Sequence, residues 1–297
     1  MIHRRLGRTP CEGVWTAWNK DLFVVNDIQG KWLACGDYYE TMRKPHVLAE
    51  IGIPVCYSLE GATVTAFSGK TPMSFSKEQL REIFGRGVLL DGAALGSLEK
   101  MGLSGWCGVK IAGTFSRDMQ KEFTRHPLNG DFSGVRRDCC QSFWEETVYA
   151  LAPVKEAVSV LSELFDYGDK KHGTCMSAYE NDLGGRVVVA GYYPWNLIHT
   201  MSKVEQMRSI CKWSSFDTQS AVVETYAKVV VWVRKNRKGE RVFILLNASL
   251  GPVPLLQVRV MGTARGYRAL ALGENKKKTS RRKRYGDRNI TGYALKT

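Results

Sequence analysis

The chain has 297 residues, a net charge of +14, 44% hydrophobic residues and 24% charged residues. This length accommodates two or three compact domains of ~100–200 residues each, and the composition excludes wholesale disorder. No segment approaches the ~18–20 consecutive apolar residues that cross a bilayer, and no apolar signal-peptide core follows the basic N-terminus. We therefore expect a cytoplasmic protein that does not use a membrane as a partner.

The cysteines favour buried thiols over a metal site. No pair is spaced as C-x-x-C, the adjacent Cys139 and Cys140 would chelate a metal poorly, and the five histidines are scattered. We expect reduced, mostly buried thiols, no bound metal and no cofactor. The eight cysteines are Cys11, Cys35, Cys56, Cys107, Cys139, Cys140, Cys175 and Cys211.

The positive charge is concentrated near the C-terminus. Residues 276–297 contain nine basic residues and one acid, Asp287, so they carry +8 of the total charge. The run Lys276 to Arg284 is compatible with binding to nucleic acid, or with a solvated loop between two strands. Only Tyr285 lies nearby as a base-stacking platform, so we favour the loop and expect no nucleic-acid partner.

Strand and helix patterns alternate in the first part of the chain. Residues 1–40 contain Trp15, Trp18 and Trp32 without a clean period, which predicts extended or irregular structure. Strands alternating with helices imply a parallel sheet covered on both faces, here a doubly wound, flavodoxin-like one. The predicted elements are a short helix at 47–51 ended by Gly52, strands at 53–57 and 62–67, a helix opened by the capping box Ser76–Gln79, a strand at 87–90, and a helix at 93–101 ended by Gly102.

The second half changes from mixed to all-β patterns. We predict a strand at 158–164, a hairpin joining 176–180 to 186–190, and a helix over 196–213, followed by strands at 228–234, 241–247, 255–261 and 267–272. These patterns divide the chain into an α/β domain at 1–215 and a small β-sandwich at 216–297. The sequence at each terminus is typical of the interior of a domain, so we expect a fragment of a larger protein with a truncated sandwich.

Asp91 occupies the turn where a hydrolase nucleophile would lie. A nucleophile elbow carries Ser or Cys between a strand and a helix, whereas this turn reads Leu90-Asp91-Gly92. A carboxylate can act as a nucleophile, but short acidic side chains more often cap the following helix. We favour capping and keep Asp91 as a candidate that faces a carbohydrate.

Other residues suited to sugar chemistry cannot be paired from spacing alone. Glycosidases use two carboxylates that flank the scissile bond, and an eight-fold barrel needs ~250 residues, for which this chain has no room. The aromatic–amide pair Trp195-Asn196 suits sugar stacking, although packing in the core explains such rings equally well. The carboxylate candidates are Glu145, Glu146, Glu180 and Asp182.

Several motifs together resemble the C-terminal part of bacterial beta-galactosidase-like glycoside hydrolases. The motifs are Ile51–Val55, Ala62–Gly69, Gly87–Ala94, Gly108-Val109, Tyr179–Val189, Gly191–Asn196 and Leu245–Ser249. In that family a degenerate class I glutamine-amidotransferase-like domain, called the trimerisation domain, follows the catalytic barrel. The resemblance covers roughly residues 45–270. It implies no catalytic residue here, because the family's glutamates lie in the barrel and Asp91 stands where the amidotransferase has cysteine.

The resulting hypothesis is a non-catalytic accessory and assembly region, homo-oligomeric in its parent and in contact with carbohydrate only through that parent. Two alternatives stay open. One is a self-sufficient hydrolase that uses Asp91 or the pair Glu145 and Glu146, and the other is a nucleic-acid-binding protein that uses the basic run. We also expect the chain alone to self-associate through apolar surface around Trp15, Trp18 and Trp32 and through an unpaired strand edge.

Overall fold

The computed structural model describes residues 11–16, 45–56, 59, 62–142, 146–196, 198, 200–235, 240–260, 267–269, 278–280 and 290–293. In this part of the chain the fold is mixed α/β, with one large curled mixed sheet and three α-helices. The helices are α1 (Lys77–Phe84), α2 (Gly92–Lys100) and α3 (Met201–Ser214).

The strands fall into three sheets, of thirteen, three and two strands. The strands are β1 (Cys11–Thr16), β2 (Val55–Cys56), β3 (Ala62–Phe67), β4 (Gly87–Asp91), β5 (Val109–Phe115), β6 (Met119–Phe123), β7 (Arg136–Cys140), β8 (Val148–Pro153), β9 (Ser159–Asp166), β10 (Lys171–Glu180), β11 (Arg186–Ala190), β12 (Ala221–Val223), β13 (Val229–Lys235), β14 (Arg241–Asn247), β15 (Leu256–Val260), β16 (Tyr267–Ala269), β17 (Lys278–Ser280) and β18 (Ile290–Tyr293).

The centre of the large sheet is parallel, as the alternation of strands and helices predicts. Strands β1, β3, β4 and β11 lie side by side in parallel, and β2 pairs in parallel with β1. Every residue of β4 is buried, and its side chains alternate between two cores. Leu89 joins the core under α3, whereas Val88 and Leu90 join the core under α1 and α2. Helices therefore cover both faces of this part of the sheet.

The sheet continues on one side as antiparallel strands that sequence patterns reveal only in part. The predicted hairpin is confirmed, because β10 and β11 pair antiparallel with Glu180 opposite Arg186. Beyond β10 the order is β9, β6 and β7, and β8 bridges β10 to β5. Four of these strands, β5 to β8, are absent from the predicted elements.

The C-terminal region is all β, as predicted, but its two longest strands belong to the large sheet. Strand β13 pairs antiparallel with both β1 and β14. The buried face of β13 packs against a separate sheet of β12, β15 and β18 in a third core. The strand pairing therefore links the predicted C-terminal region to β1, which lies beside β13 in the large sheet.

Some predicted boundaries shift, and some predicted residues lie outside the described part. The helix expected from residue 196 begins at Met201, after a 3-10 helix at Pro194–Asn196. The short helix before Gly52 is a 3-10 helix at Pro45–Ile51. Trp18, Trp32 and the basic run other than β17 fall outside the described residues, as does the side chain of Trp15. None of the described helices is long and apolar enough to span a bilayer.

Candidate functional site

The turn between β4 and α2 holds Asp91, the first predicted site residue. Asp91 is the N-cap of α2, and its Oδ1 accepts a 2.8 Å hydrogen bond from the amide of Ala94. Gly92 follows because a Cβ there would lie 2.3 Å from Cδ2 of Tyr149. The Asp-Gly pair therefore combines a helix cap with close packing against β8.

Three further donors saturate the carboxylate of Asp91. Oδ1 also accepts from the amide of Gly69 at 3.1 Å, and Oδ2 accepts from Oγ of Ser68 at 2.5 Å and from Nε1 of Trp195 at 3.0 Å. Asp91 is 1% exposed and Trp195 is 2% exposed. The structure thus joins two of the predicted residues, although 104 positions separate them.

The carboxylate of Asp91 is enclosed and fully hydrogen-bonded, which is the geometry of a buried helix cap. A nucleophile needs a free lone pair and a path to the substrate, whereas this carboxylate is enclosed and receives four hydrogen bonds. The Ser68–Asp91–Trp195 cluster instead ties the end of β3 and the 3-10 helix at Pro194–Asn196 to the start of α2. The side chain of Asn196, the third predicted residue, lies outside the described part.

The other carboxylate candidates have separate surroundings. Glu180 is ion-paired with Arg186 at 2.9 Å, and the largely exposed Asp182 lies 3.9 Å from Nζ of Lys155. Glu146 is buried, and its backbone carbonyl accepts a hydrogen bond from the thiol of Cys140. Glu145 lies outside the described residues. The ion pairs of Glu180 and Asp182 therefore join each of them to a cation and not to a second carboxylate.

The turn Asn181–Gly185, part of the motifs that carry the family resemblance, is structural. Oδ1 of Asn181 accepts from the amides of Leu183 and Gly185, and its Nδ2 donates to the carbonyl of Phe84 at 2.9 Å. This side chain closes the β10–β11 hairpin and fastens it to the end of α1.

A buried polar cluster that sequence reasoning missed surrounds Lys121. Nζ of Lys121 donates to Tyr192 Oη at 2.8 Å and to Gln206 Oε1 at 2.6 Å. Nε2 of Gln206 in turn donates to Oδ1 of Asn129. Burial lowers the pKa of Lys121 to about 7 and that of the neighbouring Lys203 to about 8. Lys121 lies between two apolar residues on the core-facing side of β6 and interrupts the apolar alternation by which a strand is recognised, so no clear signal in the sequence marks this cluster.

The described thiols are buried, as the composition predicts. Cys139 interacts with Cys175 inside the core, and burial raises the pKa of the Cys139 thiol. Six described cysteines are buried and form no disulfide: Cys56, Cys107, Cys139, Cys140, Cys175 and Cys211. In the described part of the chain, no three His, Cys, Asp or Glu side chains group as metal ligands.

An open cleft of about 240 Å³ lies beside α1, also missed from the sequence. We call it the Trp106 cleft. The sequence feature that could have revealed this cleft is a pair of basic residues one helical turn apart, Lys77 and Arg81. Like charges at this spacing destabilise a helix. The lining residues are Lys77, Arg81, Gly102, Leu103, Gly105 and Trp106.

Comparison with known proteins supports a relation in fold. No protein-family model and no curated protein sequence matches this chain. The structure is similar to the alpha-L-fucosidase isoenzyme 2 from Paenibacillus thiaminolyticus, with a TM-score of 0.58 and 11% identity, over 84% of this chain and 42% of that chain. A beta-galactosidase from the psychrophilic Marinomonas ef1 is similar with a TM-score of 0.46 and 11% identity, over 97% of this chain and 38% of that chain.

A cytoplasmic protein from Salmonella typhimurium is also similar, with a TM-score of 0.42 and 11% identity, over 58% of this chain and 87% of that chain. The fold is thus shared with part of an alpha-L-fucosidase, and this chain spans less than half the length of that enzyme and of the beta-galactosidase.

Proposed function

We propose that this chain is a non-catalytic accessory and assembly region of a carbohydrate-active protein of the glycoside hydrolase type. The observation that carries the proposal is the state of Asp91, which is enclosed and bound by four donors where a nucleophile would stand. We expect a helix-capping residue at the position of a nucleophile in a domain that is retained for its structural role.

Two further observations support the proposal. The similarity in fold to an alpha-L-fucosidase extends over most of this chain but less than half of the enzyme, as expected for one region of a larger protein. The motifs behind the family resemblance, around Asp91, Asn181 and Asn247, serve a helix cap and turns. The amidotransferase-like assignment, the division at residue 215 and a homo-oligomeric parent are parts of the same proposal.

Hydrolysis assays test the catalytic side of the proposal. The purified chain should release no nitrophenol from nitrophenyl fucosides, galactosides, glucosides or arabinosides. Asp91→Asn and the surface control Asp182→Asn are assayed in parallel. Turnover that disappears in Asp91→Asn and persists in Asp182→Asn would establish the alternative, a self-sufficient hydrolase.

Sequencing the transcript that encodes the chain tests the assembly side. We expect a continuous reading frame that places a catalytic barrel before this region. A stop codon directly before the first codon, with no barrel encoded nearby, would contradict an accessory role.

A further inference from the structure

The Trp106 cleft has the charge of an anion-binding site. Lys77 and Arg81 are exposed on α1, one turn apart, and neither forms an ion pair with a described residue. Of the two acids on this helix, Glu78 is next to Lys77 in sequence and interacts with it electrostatically, and Glu82 is bound to Arg86 at 2.8 Å. The residues that line the cleft therefore contribute two positive charges and no acid.

An aromatic wall adds a second feature. The Trp106 ring is half-buried and packs against Phe84 with 5.5 Å between ring centroids. Its indole N–H has no hydrogen-bond partner among the described residues. One wall of the cleft is thus the Trp106 ring, which is fixed by packing and whose indole N–H is available to a ligand.

The floor is open backbone. A Cβ added at Gly102 or at Gly105 would meet no atom within 4 Å, so space remains above the chain at both positions. The side chains that line the cleft offer only donors: an ammonium, a guanidinium and an indole N–H. Such a cleft is complementary to a ligand that supplies acceptors and negative charge.

We propose that the Trp106 cleft binds an anionic saccharide, a sugar ring that carries a carboxylate or a sulfate group. The acid group accepts charge-assisted hydrogen bonds from Lys77 and Arg81, and the ring packs on the indole of Trp106. The anionic class follows from the cleft itself. The choice of a sugar as the ring rests on the proposed carbohydrate role.

A matched ligand pair tests the charge. Methyl glucuronide and methyl glucoside differ only by the carboxylate, and each is titrated into the full chain while the indole N–H signal of Trp106 is followed by NMR. We expect the glucuronide to bind at least about tenfold more tightly, because charged hydrogen bonds are stronger than neutral ones. Sulfated glucose should behave like the glucuronide.

Variants test the location. The double variant Lys77→Gln with Arg81→Gln should weaken glucuronide binding at least about tenfold. Arg86→Gln removes one charge just beyond the C-terminal end of α1, outside the cleft, and should leave binding unchanged within about twofold, since exposed charges at a distance are screened by salt. Circular dichroism confirms that both proteins fold.

Three outcomes overturn the inference. The first is no binding of glucuronide or sulfated sugar, the second is binding that survives the double variant, and the third is equal binding of inorganic sulfate, which would remove the sugar ring from the site. Any of these leaves the accessory role untouched, because the hydrolysis assay and the reading frame decide that separately.

Discussion

Asp91 illustrates how one side chain fixes a junction of three segments. Its two oxygens receive donors from the end of β3, from α2 and from Trp195. A buried donor that loses its acceptor is left unsatisfied, and the free energy of its desolvation is no longer offset by a hydrogen bond. The carboxylate therefore contributes to stability through the groups that it satisfies.

Replacement of Asp91 should destabilise the fold without a catalytic phenotype. We expect Asp91→Ala to lower the free energy of unfolding by ~3–5 kcal/mol, because several buried donors lose their acceptor together. Asp91→Asn keeps one oxygen and should cost ~1–3 kcal/mol. Urea denaturation measures both, and Asp182→Asn, at a largely exposed position, should stay within ~0.5 kcal/mol. An Asp91→Ala variant as stable as the parent chain would show that the four contacts are dispensable.

Lys121 should make the stability rise with pH above neutrality. Its pKa is about 7 in the fold because of burial, whereas an unfolded lysine has a pKa of ~10.4. Between these values the unfolded chain binds more protons, so the free energy of unfolding increases with pH, by up to ~1.4 kcal/mol per pH unit for one lysine. Urea denaturation between about pH 7 and about pH 8 measures this slope.

The variant Lys121→Met isolates the contribution of this side chain. It should flatten the slope, leaving the smaller contribution of Lys203, whose folded pKa is about 8. Lys100→Met, at an exposed position, should keep the slope of the parent chain. The window ends at about pH 8, because several thiols whose pKa values are raised by burial begin to ionise there in the unfolded chain, where the thiol pKa is ~8.5, and this ionisation favours unfolding. These thiols are Cys107, Cys139, Cys140 and Cys211. Equal slopes in both variants would remove Lys121 as the cause.

At the scale of elements, adjacent glycines in the β10–β11 turn serve different needs. Gly184 has a φ of +81° and open space around it, whereas a Cβ on Gly185 would lie 2.0 Å from the carbonyl oxygen of Phe84. The first glycine supplies a conformation, and the second allows the turn to touch α1.

The two glycines therefore predict different costs. Gly184→Ala should lower the free energy of unfolding by ~1 kcal/mol through backbone strain alone. Gly185→Ala should cost ~3 kcal/mol or more, since the backbone of α1 must move away. Thermal unfolding of the matched pair measures the difference, and equal costs would mean that α1 and the turn separate easily.

Local signals explain which elements could be predicted from the sequence. The capping box at Ser76 and Gln79 forms as expected, and β3 has its predicted bounds. Strands β6 and β7 were missed because Lys121 and the charged run Arg136–Asp138 break the apolar alternation that marks a strand. Partners far apart in sequence, such as Asp91 with Trp195 or β1 with β13, leave no local pattern at all.

At the scale of the whole molecule, exposed apolar surface is concentrated in one region. Of the eleven large apolar side chains that are strongly exposed among the described residues, five lie between positions 242 and 255. Val242, Ile244 and Leu246 alternate along β14 and form one face of that strand, at 36–51% exposure. The expected apolar surface around the N-terminal tryptophans lies outside the described residues, so β14 is where the structure locates such a surface.

We therefore predict that the isolated chain self-associates through the outer face of β14. Contiguous exposed apolar side chains favour contacts that remove them from water, at ~25 cal/mol per Å². Light scattering should show a mass that rises with concentration, and Ile244→Lys should suppress the rise by placing a charge at the centre of the face. Met73→Lys adds the same charge at a more exposed apolar side chain on the 3-10 helix Thr71–Ser74 and should not suppress the rise. If both variants remained monomeric, net charge would govern association, and if neither did, another surface would. A contact centred on Ile244 requires that Ile244→Lys alone remains monomeric.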